Sequence, residues 1–130
     1  MSLKRTRVVI GDKHPAARAA LELAVESQGS LELVGSAGNE AALLDLLQHA
    51  DAEVVVVDSA FTQTGTESGP LISYIHSAHP GVQVIVVGMA PADPEQGSRA
   101  VEAGAIAYLP KELAGELLPD SVAAHGSRGG

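Results

Sequence analysis

Four charged residues in this chain sit where they could do chemistry together. Asp12 and Lys13 lie within the stretch RVVIGDKHP, Asp58 closes a run of valines, and Lys111 follows AIAYLP. Carboxylates can hold a hard cation through their oxygens or attack as nucleophiles. Ammonium groups can bind phosphoryl oxygens as point charges or pair with carboxylates. The residue types therefore suit a metal or phosphate pocket. A lysine directly beside the first aspartate raises the question of which cation it replaces.

The elements that must position these residues are short and regular. β-Branched runs recur at 6–10, 31–35, 53–57, 82–87 and 105–109, and the third and fourth are nearly continuous valine and isoleucine. Such runs predict strands buried on both faces, as in a parallel sheet. Helical patterns lie between them at 15–28, 40–49, 71–78, 94–103 and 112–124. The first starts at Pro15, carries Leu21, Ala24 and Val25 as a stripe, and is expected to end at Gly29. Strands alternating with helices imply βαβ crossovers and a doubly wound α/β sheet. Ligands of such sheets bind beyond the carboxyl ends of the strands. Gly11, Asp12, Lys13, Asp58, Gly88 and Lys111 all fall on that edge.

Composition narrows the function classes. The 130 residues fit one domain, and 45% apolar content is enough for a packed core. A net charge of −8 argues against this segment gripping nucleic acid or an anionic membrane by itself. Cysteine is absent, which excludes disulfides and thiolate metal sites. No apolar run approaches the roughly 18 residues that span a bilayer. A cytoplasmic location is the expectation.

In order and spacing, five pieces resemble the receiver domain of bacterial response regulators, in particular receivers that precede LuxR-type DNA-binding domains. They are GDKHP, LELVGSAGNEAALL, VVVVD, HPGVQVIVVGM and EAGAIAYLPK. The resemblance implies a flavodoxin-like (CheY-like) fold of five parallel strands in order 2-1-3-4-5, flanked by five helices, over residues 4–124. Residues 125–130 are expected to be a flexible tail or the start of a linker. It implies Asp58 as phospho-acceptor, Asp12 and Asp58 as Mg²⁺ ligands, Lys111 as the lysine that binds phosphoryl oxygens, and Tyr108 as the switching aromatic.

The chain departs from that pattern at two pocket positions. Lys13 stands where a second acidic metal ligand is implied, and Gly88 where a threonine or serine would contact the phosphoryl group. The stretch SAFTQTGTESGP, 59–70, also lacks the family's signals and is longer. Three carboxylates and one lysine would leave a pocket at −2, which Mg²⁺ neutralises. Asp12, Asp58, Lys13 and Lys111 already sum to zero. The expectation is therefore that Lys13 occupies or shadows the metal position and pairs with Asp58, Asp12 or both, so that no cofactor binds. Gly88 removes a hydroxyl as well as the link that would draw Tyr108 inward, or serves only a tight turn. Mg²⁺ enters only if the pocket is an active phospho-receiver.

Smaller signals carry less. DKHPAA distantly resembles the aspartate-x-histidine loop of cobalamin-binding domains, but Ala17 stands where glycine belongs, and His14 reads better as a helix-start residue. His49, His76, His79 and His125 show no metal-ligand spacing. GSAGNE lacks the dinucleotide-binding spacing.

Three readings of function follow. One is a non-enzymatic signalling module with weak or absent phosphorylation at Asp58, acting through protein contacts. Another is an active phospho-receiver served by a histidine kinase, and the last a flavodoxin-like domain binding a small ligand. Expected partners are a kinase or other regulator, a second copy through the face of helix four, strand five and helix five, and a DNA-binding output domain beyond this chain. Pro119, inside the fifth helix, removes an N–H donor and is expected to shorten or bend it.

Overall fold

The computed structural model describes residues 5–59, 61, 69–88, 94–111, 114 and 116–119. The elements run β1 (Thr6–Gly11), α1 (Pro15–Glu26), β2 (Leu31–Ala37), α2 (Glu40–His49), β3 (Val54–Asp58), α3 (Gly69–Ala78), β4 (Gln83–Gly88), α4 (Pro94–Ala103) and β5 (Ala107–Pro110). Ala114 and residues 116–119, ending in Pro119, are helical and belong to the fifth helix. Residues 120–124 of that helix, the tail 125–130 and most of the 59–70 stretch lie outside the described residues.

The five strands form one parallel sheet in the order β2-β1-β3-β4-β5. β3 and β4 are central and their valines are buried, as their unbroken apolar runs require. Alternate strand residues face opposite sides, so each strand feeds two cores. Val9, Val55, Val57, Val84 and Val86 pack with α2 and α3 residues, including Leu43, Leu47, Ile72 and Ile75. Val8, Ile10, Val56, Ile85 and Val87 pack with Leu21 and Val25 of α1 and with Ala114 and Leu118.

The first helix ends differently from expectation. α1 stops at Glu26 with Ser27 as its right-handed C-cap. The Ser27 amide donates to the Leu23 carbonyl and its hydroxyl to the Ala24 carbonyl. Gly29 therefore serves no left-handed cap; among the described residues only Gly104 has a positive φ, +124°. There the turn from α4 toward β5 needs a backbone conformation that glycine adopts without strain. α2 opens on Asn39, whose side chain accepts a hydrogen bond from the Ala42 amide.

Candidate functional site

The topology places the sequence candidates at neighbouring strand ends. Asp12 follows β1, Asp58 ends β3, Gly88 ends β4 and Lys111 follows β5. β1 and β3 are adjacent, so both carboxylates come from the middle of the sheet, while the ammonium reaches across from its edge.

Asp12 is fully buried and held from several sides. Its amide donates to the Ala37 carbonyl at 3.1 Å. Its Oδ1 accepts from the His14 amide at 2.9 Å, a local bond that turns the chain into α1. Arg18 Nη1 donates to the Asp12 carbonyl at 3.0 Å. Gly38 leaves room for that guanidinium, since a β-carbon there would stand 2.8 Å from Nη1. Asp12 Oδ2 faces Lys111 Nζ at 3.0 Å as its ion-pair partner.

Asp58 is 5% exposed and its Oδ1 lies 2.7 Å from the same Nζ. Lys111 thus bridges both carboxylates with one ammonium. Burial pulls its pKa down, but the hydrogen bonds and charges of Asp58 and Asp12 together outweigh that and hold it above the ordinary lysine value. Buried carboxylates this close would repel each other without a cation between them.

The pairing expected of Lys13 is not made. Its side chain is exposed, and no ion pair joins it to either carboxylate among the described residues. The physical reason lies in chain direction: Asp12 turns inward under its clamps, and the next residue turns out. The lysine between the carboxylates is Lys111.

Gly88 is no turn residue. It is the buried end of β4, paired with Pro110. A β-carbon on it would overlap the Tyr108 hydroxyl oxygen and stand 2.7 Å from Tyr108 Cζ. Tyr108 is half-buried on β5, and the absence of a residue-88 side chain makes its position possible.

Four contributors escaped sequence reasoning: Arg18, Gly38, Ser59 and Phe61. Ser59 Oγ lies 3.3 Å from where a Gly88 β-carbon would be, and the Ser59 amide donates to the Val87 carbonyl. Phe61 is buried, its amide donating to the Asp58 carbonyl and its ring packing against Gly11. Its signal was available, because it is the one phenylalanine in the chain.

The oxygen inventory for a metal is small. Two carboxylates face the pocket, an ammonium stands between them, and no cluster of three or more metal-ligating side chains occurs among the described residues. Mg²⁺ favours near-octahedral oxygen coordination, and this donor set does not fit it. A cavity of about 290 Å³ lies along α1, lined by Ala17, Ala20, Leu21, Ala24 and Lys111. Its walls are almost wholly apolar. Among the described residues, no helix is long and apolar enough to cross a membrane.

Comparison with known proteins agrees with this geometry. Residues 8–123 match the family model of the response regulator receiver domain. The chain is 28% identical over 109 residues to the probable transcriptional regulatory protein NarL of Mycobacterium tuberculosis (strain CDC 1551 / Oshkosh), covering 84% of this chain and 49% of that protein. It therefore spans about half the length of the curated relatives it matches. The receiver domain of the putative response regulator NarL from Mycobacterium tuberculosis superposes with a TM-score of 0.81 at 25% identity, covering 94% of this chain and 96% of that one. The non-phosphorylated receiver domain of the stress response regulator RcsB from Escherichia coli gives 0.82 at 25% identity, with 93% and 92% covered. RcsB of Salmonella typhimurium gives 0.82 at 25% identity, covering 94% of this chain and 60% of that one. The strand order, the paired carboxylates at its carboxyl edge and a family match over most of the sequence lead to one conclusion: the chain belongs to the response regulator receiver domains of two-component signal transduction.

Proposed function

We propose that this receiver signals through protein contacts, with weak or no phosphorylation at Asp58 and without Mg²⁺. One observation carries the reading: the ammonium of Lys111 already stands between both pocket carboxylates, at 2.7 and 3.0 Å, where a metal would have to coordinate. Phosphoryl transfer needs a cation that coordinates the attacking and leaving oxygens and absorbs developing charge. An ammonium supplies charge but no coordination geometry. The position that would add a third carboxylate holds Lys13, and the position that would add a hydroxyl on β4 holds Gly88.

The domain itself catalyses nothing in this reading. Its partners are another regulator or a second copy, met through the face of α4, β5 and the fifth helix, where Val101 is 53% exposed. The NarL relatives are described as transcriptional regulatory proteins and extend well beyond the matched segment. That likeness supports, as part of the proposal, a DNA-binding output domain in the natural protein and work in the cytoplasm.

Intact-mass spectrometry after incubation with acetyl phosphate and Mg²⁺, run beside Asp58→Asn, tests this. The expected result is no phosphoryl adduct on a folded sample. An adduct that disappears in Asp58→Asn would overturn the reading and establish an active phospho-receiver.

A further inference from the structure

The register of β4 and β5 sets Val86 opposite Tyr108 and Gly88 opposite Pro110. Tyr108 leans along β5 by two residues, and its phenol tip comes to rest over the Gly88 α-carbon. Any side chain at position 88 would need the volume now held by the Tyr108 hydroxyl, and its β-carbon would stand 2.7 Å from Cζ. The same spot lies 3.3 Å from Ser59 Oγ, one residue beyond Asp58. A glycine inside a buried strand loses packing and backbone entropy, and its common use is to admit the close approach of another group. Here the admitted group is the phenol.

We infer that Gly88 forms a permanent seat for Tyr108, so that the β5 hydroxyl becomes a fixed part of the pocket wall and the β4–β5 face keeps one arrangement whatever happens at Asp58. This deepens the phosphorylation-independent reading and rests on it for its biological meaning. The steric argument stands apart from that reading. A side chain at 88 would have to withdraw before the ring could enter. With none there, no residue-88 side chain competes for the seat, and a close-packed interior favours the filled state over a void. The surface offered to a partner is then a constant of the fold and not a variable of the signal.

A double-mutant cycle on stability tests the seat. Gly88→Ala is expected to lower the urea midpoint in the presence of Tyr108 and to leave it unchanged in a Tyr108→Ala background, because the two residues compete for one volume. Should Gly88→Ala alone not fold, the folded double variant Gly88→Ala/Tyr108→Ala supplies the same answer. Equal penalties in both backgrounds would overturn the seat. A second readout uses 3-fluorotyrosine NMR, in which the chain's two tyrosines are separated by Tyr108→Phe. The Tyr108 resonance is expected to move in Gly88→Ala and to stay still when acetyl phosphate and Mg²⁺ are added to the unsubstituted protein. A shift of that resonance on adding the donor would also overturn it. A phosphoryl adduct with an unmoved Tyr108 resonance would instead remove the proposed function and leave the seat intact.

Discussion

Lys111 Nζ stands 2.7 Å from Asp58 Oδ1 while it also pairs with Asp12, so the residue after the edge strand neutralises an acid that ends the central one. With the Lys111 side chain only 19% exposed, that ammonium is held close against two buried carboxylates.

Replacing it should therefore be costly. Lys111→Met keeps the apolar stem and removes the charge, which takes the shared ammonium away from two close carboxylates. Breaking a buried pair this way costs roughly 3 kcal/mol. Urea unfolding at pH 7 checks it. A Lys111→Met protein as stable as the parent would show that the bridge contributes nothing.

The same pair sets a pH window. The Lys111 pKa is raised in the folded state, because the carboxylates outweigh burial. A raised lysine stabilises fully below the unfolded value, about 10.4, and that contribution fades as pH climbs through the folded value. Unfolding free energy measured from pH 9 to 12 should fall more steeply for the parent than for Lys111→Met. Parallel curves would contradict the direction of the shift.

Lys13 offers the opposite case. Because its side chain is exposed and pairs with neither pocket acid, Lys13→Ala should change stability by no more than about 0.5 kcal/mol. A penalty near that of a broken buried pair would return Lys13 to the pocket. Lys13→Asp supplies a third carboxylate, and titration calorimetry should then detect Mg²⁺ binding beyond that of the parent.

Gly11 marks a packing limit beneath the site. A β-carbon there would meet Phe61 Cε2 at 2.9 Å and Leu43 Cδ2 at 3.2 Å. Gly11→Ala should cost about 1–3 kcal/mol by overpacking, read as a lower urea midpoint. Phe61→Leu in the same chain should recover part of the loss, since the nearer obstacle is the ring.

The sequence made the sheet legible because valine runs at regular spacing admit few other folds. Asp12, Asp58 and Lys111 were legible too, each being the first charged residue after an apolar run. Lys13 misled because neighbours in sequence share a place on a strand edge without sharing a direction. Period-two alternation already argues that if Asp12 points in, Lys13 points out. Gly88 read as a lost hydroxyl or a turn, and not as a seat, because the partner that explains it sits on another strand, two register positions away from its own. No local pattern encodes that approach. The clamp of Arg18 on the Asp12 carbonyl was hidden for a similar reason, since it depends on Gly38 yielding space from a different loop.

The strand order also carries a schedule. β2, β1 and β3 all lie within the first 58 residues, whereas β5 and Lys111 come last on the far edge. During synthesis from the amino terminus, the ribosome releases both pocket acids long before it releases their counter-ion. Until β4 and β5 are made, neither the partner strand of the β3 edge nor the ammonium that pairs with the two acids is present. Closing the sheet and discharging the pocket then coincide, which couples completion of the sheet to the electrostatic relief of its earliest-made part.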